Sequence, residues 1–406
     1  MASNKKFLPS LTGLRGLAAL MVFGYHARWR AGNPSMLLGS IDLRSLLLAC
    51  DGGVGIFFVL SGFLLSEPYW RNLLEDKRSN IDLQHYFIRR ILRIAPAYYL
   101  SLIHTHFFNS LTYTFWGIIS LILYFLGLHT FFHQSYEWGI NPVLWSIGIE
   151  VQFYILLPVL FLIVRKFFAF KVSYNWLPLA GITILCFTLN PAFKHLALSV
   201  ATYLPDTILG GEDAATSLAV NRSIFYFLPW FWVGIVSSWI HQIWICKKIL
   251  HLQLREKFYI SDFLILIGIL GTTFILMNAS EGEWGSFSYY GWPANCLFFS
   301  LLVLFSPYSK VGKLLFDNFF MIFIGEISYG IYLWHSLIQV SVFQGSLPYY
   351  FDGFSLFIVG GIVSLLITIL IASLSYFWVE RPFVLLARRC RSFSELWKYI
   401  KIKFSY

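Results

Sequence analysis

Arg15 and His26 stand eleven residues apart in an apolar run over residues 10–30. On an α-helix that spacing returns to within about 20° of the same face and separates the two groups by about 16 Å. A cation at one end of a helix face and an imidazole farther along it suit chemistry that grips an anionic substrate at one point and moves a proton at another. An arginine that snorkels to an interface and a histidine bonded to a neighbour would leave the same pattern.

Two further groups belong with this pair. Arg89-Arg90-Ile91-Leu92-Arg93 precedes Ile94, Pro96, Tyr98 and Tyr99. Guanidinium matches phosphate oxygens two at a time, so a phosphorylated donor is a natural guest for this cluster; ordinary anchoring of a span end is the alternative. Trp145-Ser146-Ile147-Gly148-Ile149-Glu150, continuing to Phe153-Tyr154, places a carboxylate inside a second apolar run. Glu150 is expected about two turns into its helix, within about a turn of the depth of His26. Facing the imidazole there, it would hold the tautomer and raise the basicity. A structural ion pair, or a hydrogen bond to a helix backbone, is the other reading.

The elements that must position these groups are membrane helices. Of 406 residues, 58% are hydrophobic and only 12% charged, with a mean hydropathy of +0.67. Soluble domains carry about 25% charged residues. Apolar stretches near the length needed to cross a bilayer recur along the chain. The pattern predicts an all-α polytopic bundle of about ten transmembrane helices, over 10–30, 52–70, 94–109, 142–164, 174–190, 223–243, 262–278, 289–306, 319–340 and 354–378. With both termini cytoplasmic, the inner segments hold 24 of the 30 Lys and Arg residues, as the positive-inside rule expects. One apolar stretch, Leu111 to Leu128, would invert that charge pattern if it crossed. It is expected to be a re-entrant or interfacial helix, packed against protein; an eleven-span arrangement with an external C-terminus is the alternative.

The net charge of +10 does not point to nucleic acid, because the basic residues lie in short segments between spans. The five cysteines show no paired or metal-ligand spacing, and no redox or metal role is assigned. The first apolar run carries Arg15 and His26 and reaches full span length, which reads as a first transmembrane helix rather than a cleaved signal. Residues 191–222 are expected to form an external loop or lid. Asn221-Arg222-Ser223 and Asn278-Ala279-Ser280 match the glycosylation pattern.

Taken in order, these motifs resemble the acyltransferase-3 family of membrane acyltransferases, whose bacterial members commonly O-acylate surface carbohydrates. Leu14-Arg15-Gly16 through His26 is similar to its Arg-x10-His motif, and Phe57-Phe58-Val59-Leu60-Ser61-Gly62-Phe63-Leu64-Leu65 to its second-helix signature. Arg90 and Arg93 match the RxxR pair, and Trp145-Ser146 to Glu150 the WSxxxE element. Ile327-Ser328-Tyr329-Gly330-Ile331-Tyr332-Leu333-Trp334-His335 and Glu380-Arg381-Pro382 resemble the closing motifs. The acid that often follows the second-helix Gly-Val is replaced by Gly55, with Asp51 four residues earlier.

The resemblance implies a transmembrane acyltransferase domain over residues 1–383 and a basic cytoplasmic tail over 384–406, in the inner membrane and without a fused hydrolase-like domain. It implies acyl-CoA as donor, acetyl being the usual group, and a carbohydrate or glycolipid hydroxyl as acceptor. Arg15, Arg90 and Arg93 would hold the CoA phosphates. The pantetheine arm would run along the Arg15–His26 face. His26 would deprotonate the acceptor or relay the acyl group, with Glu150 as orienter. Trp145, Tyr329 and His335 are expected on the substrate side, with packing an equal alternative for His335. His104 and His106 are read as interfacial, and Glu380-Arg381-Pro382 as an ion pair with a proline that stops the last span. A proton-coupled transporter or flippase of a glycan or lipid intermediate would also need intramembrane Arg, His and Glu.

Overall fold

A computed structural model describes residues 8–38, 41–42, 44, 47, 49–74, 82–131, 141–168, 179–188, 223–246, 258–277 and 294–404. Among the described residues, the regular structure is helical apart from one two-residue ladder, Leu37–Leu38 against Ile41–Asp42. In chain order the helices are α1 (Pro9–Arg30), α2 (Gly53–Leu74), α3 (Leu83–Phe108), α4 (Phe115–Phe125), α5 (Trp145–Phe168), α6 (Leu179–Thr188), α7 (Ile224–Cys246) and α8 (Phe258–Met277). They continue as α9 (Ala294–Phe305), α10 (Lys310–Phe316), α11 (Phe319–Glu326), α12 (Ser328–Phe343), α13 (Gly353–Ser375), α14 (Arg381–Arg389) and α15 (Phe393–Phe404).

Among the described residues, four stretches are long and apolar enough to cross a membrane, or six if each of two bent pairs is one span. The outer surface is apolar in the way a bilayer requires: on α13, Ile362, Leu366 and Leu370 are each more than half exposed. In water that stripe would be a large uncovered patch. The chain is a multi-pass membrane protein.

Local chemistry sets the helix ends. Pro9 occupies the first turn of α1, where its missing N–H costs no hydrogen bond. The Asp82 carboxylate caps α3 by accepting from the His85 N–H at 3.0 Å, so α3 starts well before the expected 94. The Leu111–Leu128 stretch resolves into a short 3-10 turn, Ser110–Tyr113, and the 11-residue α4. At 1.5 Å per residue α4 is about 16 Å long, half the thickness of a hydrocarbon core.

The expected span 319–340 is not one helix. It breaks at Ile327, and the two arms are bent by 73°. The Ser328 hydroxyl donates to the Gly325 carbonyl at 2.8 Å, giving that freed backbone group a partner at the bend. The expected span 289–306 begins at Ala294 within the described residues and is followed by α10 at 90°. Pro382 does not stop the last span as expected. The chain passes from α13 through a π turn, Tyr376–Glu380, and Pro382 sits in the first turn of α14. Glu380 accepts from the Ser375 hydroxyl at 3.2 Å, and the Arg381 guanidinium lies over the Phe377 ring at 5.8 Å. The anticipated loop over 191–222 and the sequon asparagines Asn221 and Asn278 lie outside the described residues.

Helices α2 and α7 cross with their backbones in contact. A Cβ added to Gly62 would sit 2.1 Å from the Phe231 carbonyl oxygen, and one added to Gly234 would sit 2.1 Å from that of Val59. Without a hydrophobic drive between helices in lipid, small residues that let backbones touch supply the packing. Trp70 ties the same pair, donating its Nε1–H to the Ile235 carbonyl at 2.9 Å. Gly62→Val is therefore expected to cost more than about 3 kcal/mol. The check is membrane abundance, which should fall severalfold, against an unchanged level for a lipid-facing control such as Leu366→Val.

Candidate active site

The bend at Ile327 brings Ser328, Tyr329 and Tyr332 beside α1, α2, α3 and α5. Where these elements meet lies a cavity of about 110 Å³, room for several water-sized groups rather than a packing defect. Arg15 from α1, Arg90 and Arg93 from α3, Glu150 from α5 and Tyr329 from α12 line it together. Five of the residues singled out from sequence thus converge from four helices. Arg89 does not: it is exposed, since only Arg90 and Arg93, three apart, share the inward face.

Charge in this cavity is unevenly matched. Three guanidinium groups face one lining carboxylate, and among the described residues none of the three makes an ion pair within 4 Å. The Arg90 guanidinium lies over the Tyr154 ring at 5.7 Å, and its buried Nε–H has no hydrogen-bond partner among the described residues. Buried donors are nearly always paired. Several cationic donors aimed into one cavity fit an anionic guest.

Glu150 is spoken for locally. Its Oε1 accepts from the Tyr154 hydroxyl at 2.6 Å and the Ser61 hydroxyl at 2.9 Å. The structure thus groups Glu150 with the arginines rather than with the imidazole it was expected to orient. Ser61, inside the second-helix motif, and Tyr154, one turn beyond Glu150, join the site through these bonds, which no sequence spacing reveals. Tyr154→Phe is expected to remove a charge-assisted bond worth about 1.5–3 kcal/mol. The check is the unfolding midpoint of detergent-extracted protein, which should fall.

His26 lies half-buried on α1 outside the lining of this cavity. Its ring packs against that of His335 on α12, with centroids 5.2 Å apart. His335 is buried, and its ring lies 5.9 Å from that of Tyr332. Tyr332 is the link between the two clusters. It lines the cavity, donates to the Val143 carbonyl at 2.8 Å and meets the Ser146 hydroxyl at 2.6 Å. Its place three residues after Tyr329, on one helix face, was the available signal. Tyr329 donates its hydroxyl to the Ile94 carbonyl at 2.9 Å, tying α12 to α3. Trp145 is not in the cavity; its ring packs on Phe227 at 5.3 Å and Phe58 at 6.5 Å. His104 stacks on Phe108 at 4.6 Å and meets the Trp334 ring edge-on at 5.5 Å.

A family model described as an acyltransferase domain matches residues 8–373, nearly the whole chain. The chain belongs to the acyltransferase-3 family. Among curated relatives, the peptidoglycan O-acetyltransferase of Listeria monocytogenes is 27% identical over 93% of this chain. A Bacillus subtilis protein with a provisional name as a peptidoglycan O-acetyltransferase is also 27% identical over 93%. A Staphylococcus aureus protein provisionally named an O-acetyltransferase is 25% identical over the same share. The chain spans little more than half of each relative, 56%, 55% and 57% respectively. No solved structure matches it. In acyltransferase-3 terms, the Arg-x10-His motif contributes its arginine to the cavity and its histidine to the imidazole pair. The RxxR, second-helix and WSxxxE motifs all meet at the cavity.

Proposed function

We propose that the chain is an O-acyltransferase that moves an acyl group, acetyl in the first instance, from cytosolic acyl-CoA to a hydroxyl of an envelope carbohydrate or glycolipid. The observation that carries the reading is the convergence of Arg15, Arg90 and Arg93 on one cavity without an ion pair among the described residues. The phosphates of CoA supply the anionic groups that such donors take. The names of the Listeria and Bacillus relatives favour peptidoglycan as the acceptor class.

In this reading Arg15, Arg90 and Arg93 hold the donor at the cytoplasmic mouth. The thioester arm passes Tyr332 toward the imidazole pair, along the face that carries Arg15 and His26. His26 removes the proton of the acceptor hydroxyl. Ten spans, both termini in the cytoplasm of an inner-membrane protein and α4 as a re-entrant or interfacial helix are part of the same proposal, supported by the placement of 24 of the 30 basic residues. So is the division into a transfer domain over 1–383 and a basic tail over 384–406.

The test is transfer of labelled acetyl from acetyl-CoA to envelope glycans in membranes containing the chain, with mass spectrometry of the esters formed. Label in sugar esters supports the proposal, and its absence at normal protein abundance rejects acetyl-CoA as donor. The broken helix at Ile327 favours examining a transporter too, since discontinuous helices commonly form transport sites. Solute flux that tracks the protein while acylation does not would establish that reading.

A further inference from the structure

His335 carries an unused acceptor in a place that suits one partner. Its Nδ1 lies 3.0 Å from the Ile331 carbonyl and 2.9 Å from the Tyr332 carbonyl. A carbonyl can only accept, so Nδ1 holds the proton, and in the neutral ring Nε2 bears a lone pair. Nε2 is buried and makes no hydrogen bond among the described residues, the neighbouring His26 ring included, so it is an acceptor that a turn of that ring would engage. The next imidazole is that of His26, with centroids 5.2 Å apart and planes tilted by 50°. Two imidazoles joined by an N–H···N bond of ordinary length have centroids roughly 5 Å apart. The two helices are held in register one turn farther along, where Gln339 donates to the Phe23 carbonyl at 3.0 Å.

We infer that His335 is the positioning residue of His26. When the His26 ring turns toward it, its Nε2 accepts the ring N–H of His26, and the other nitrogen of His26 then serves as the base toward the acceptor hydroxyl. This rests on the acyltransferase reading and gives the orienting role to an imidazole rather than to Glu150. The acceptor O–H proton passes to His26, and the oxygen forms its bond to the acyl carbon. The bond from that carbon to the donor sulfur breaks, with its electron pair leaving on sulfur. The proton held by His26 then goes to the thiolate, so ester and thiol are the products. While His26 is an imidazolium, the bond to His335 becomes charge-assisted and stronger, so the partner favours the step in which charge develops.

Two substitutions separate positioning from packing. His335→Gln reaches the place of Nε2 with an acceptor atom. His335→Asn has a side-chain amide near the place of Nδ1, where it can still donate to the Ile331 and Tyr332 carbonyls, and has nothing at Nε2. The measurement is acetyl-ester content of envelope glycans from cells making the full chain, per unit of protein in the membrane, which requires no assumption about the donor. The Gln variant is expected within about tenfold of wild type and the Asn variant about 100-fold below it, a loss on the scale of general-base assistance. Asn equal to or better than Gln overturns the inference, because a merely structural role needs the Nδ1 bond and ranks the two the other way. His26→Ala is measured alongside. If it leaves ester content unchanged, both the base and its positioning partner are rejected; if it abolishes esters while Asn matches Gln, only the role of His335 falls.

Discussion

His26→Ala is expected to lower acetyl transfer by about 1,000-fold with normal membrane abundance and unchanged donor affinity. A positioned base contributes about 10²–10⁴ to such a reaction, and His26 is the half-buried member of the imidazole pair, so it is the one an acceptor can reach. The side chain lies outside the arginine-lined cavity, and its loss should leave the donor site intact. The rate of label transfer, alongside equilibrium binding of acetyl-CoA to the detergent-extracted variant, checks both halves. Transfer at the wild-type rate would remove His26 from the chemistry. Trapping of an acyl-histidine in the absence of acceptor would convert the base into a covalent relay.

Arg90→Ala carries the second large expected effect, a 10- to 100-fold weaker affinity for the CoA donor. Hydrogen bonds to charged groups are worth about 1.5–3 kcal/mol each, and about 1.4 kcal/mol is a factor of ten. Arg90 offers a buried Nε–H without a partner among the described residues, held over Tyr154 in the cavity. Donor phosphates are bound before and during acyl transfer alike, so KM for acetyl-CoA should rise while kcat at saturating donor stays within about threefold. Arg90→Lys should recover only part of the loss, because an ammonium lacks the fork that meets two oxygens. Wild-type donor affinity in the alanine variant would assign the arginine cluster to topology alone.

The two predictions act on separate clusters, and that separation was only half visible beforehand. Helix periodicity put Arg15 and His26 on one face of α1, and both do face inward from it, one to the cavity and one to the imidazole pair. The pairing of Glu150 with His26 rested on matched depth. Depth along two helices says nothing about their separation across the bundle, and Glu150 proved to face Ser61, Tyr154 and the arginines. The contact of His26 with His335 joins residues 309 positions apart; no local spacing encodes it. Hydropathy does not reveal the break at Ile327 either, because residues 319–340 satisfy a hydropathy criterion whether or not the helix is straight.

Composition and motif order by themselves determined that this is a helical membrane protein of the acyltransferase-3 family, and they named the arginines that meet at the cavity. The reason is physical: lipid demands apolar helices of set length, and charges left within them must answer to a function or a partner. Tertiary structure alone decided which partner each polar group meets. That choice depends on the crossings at Gly62 and Gly234, on the 73° bend at Ile327 and on the register of α12 against α1, all of them contacts between segments distant in the chain.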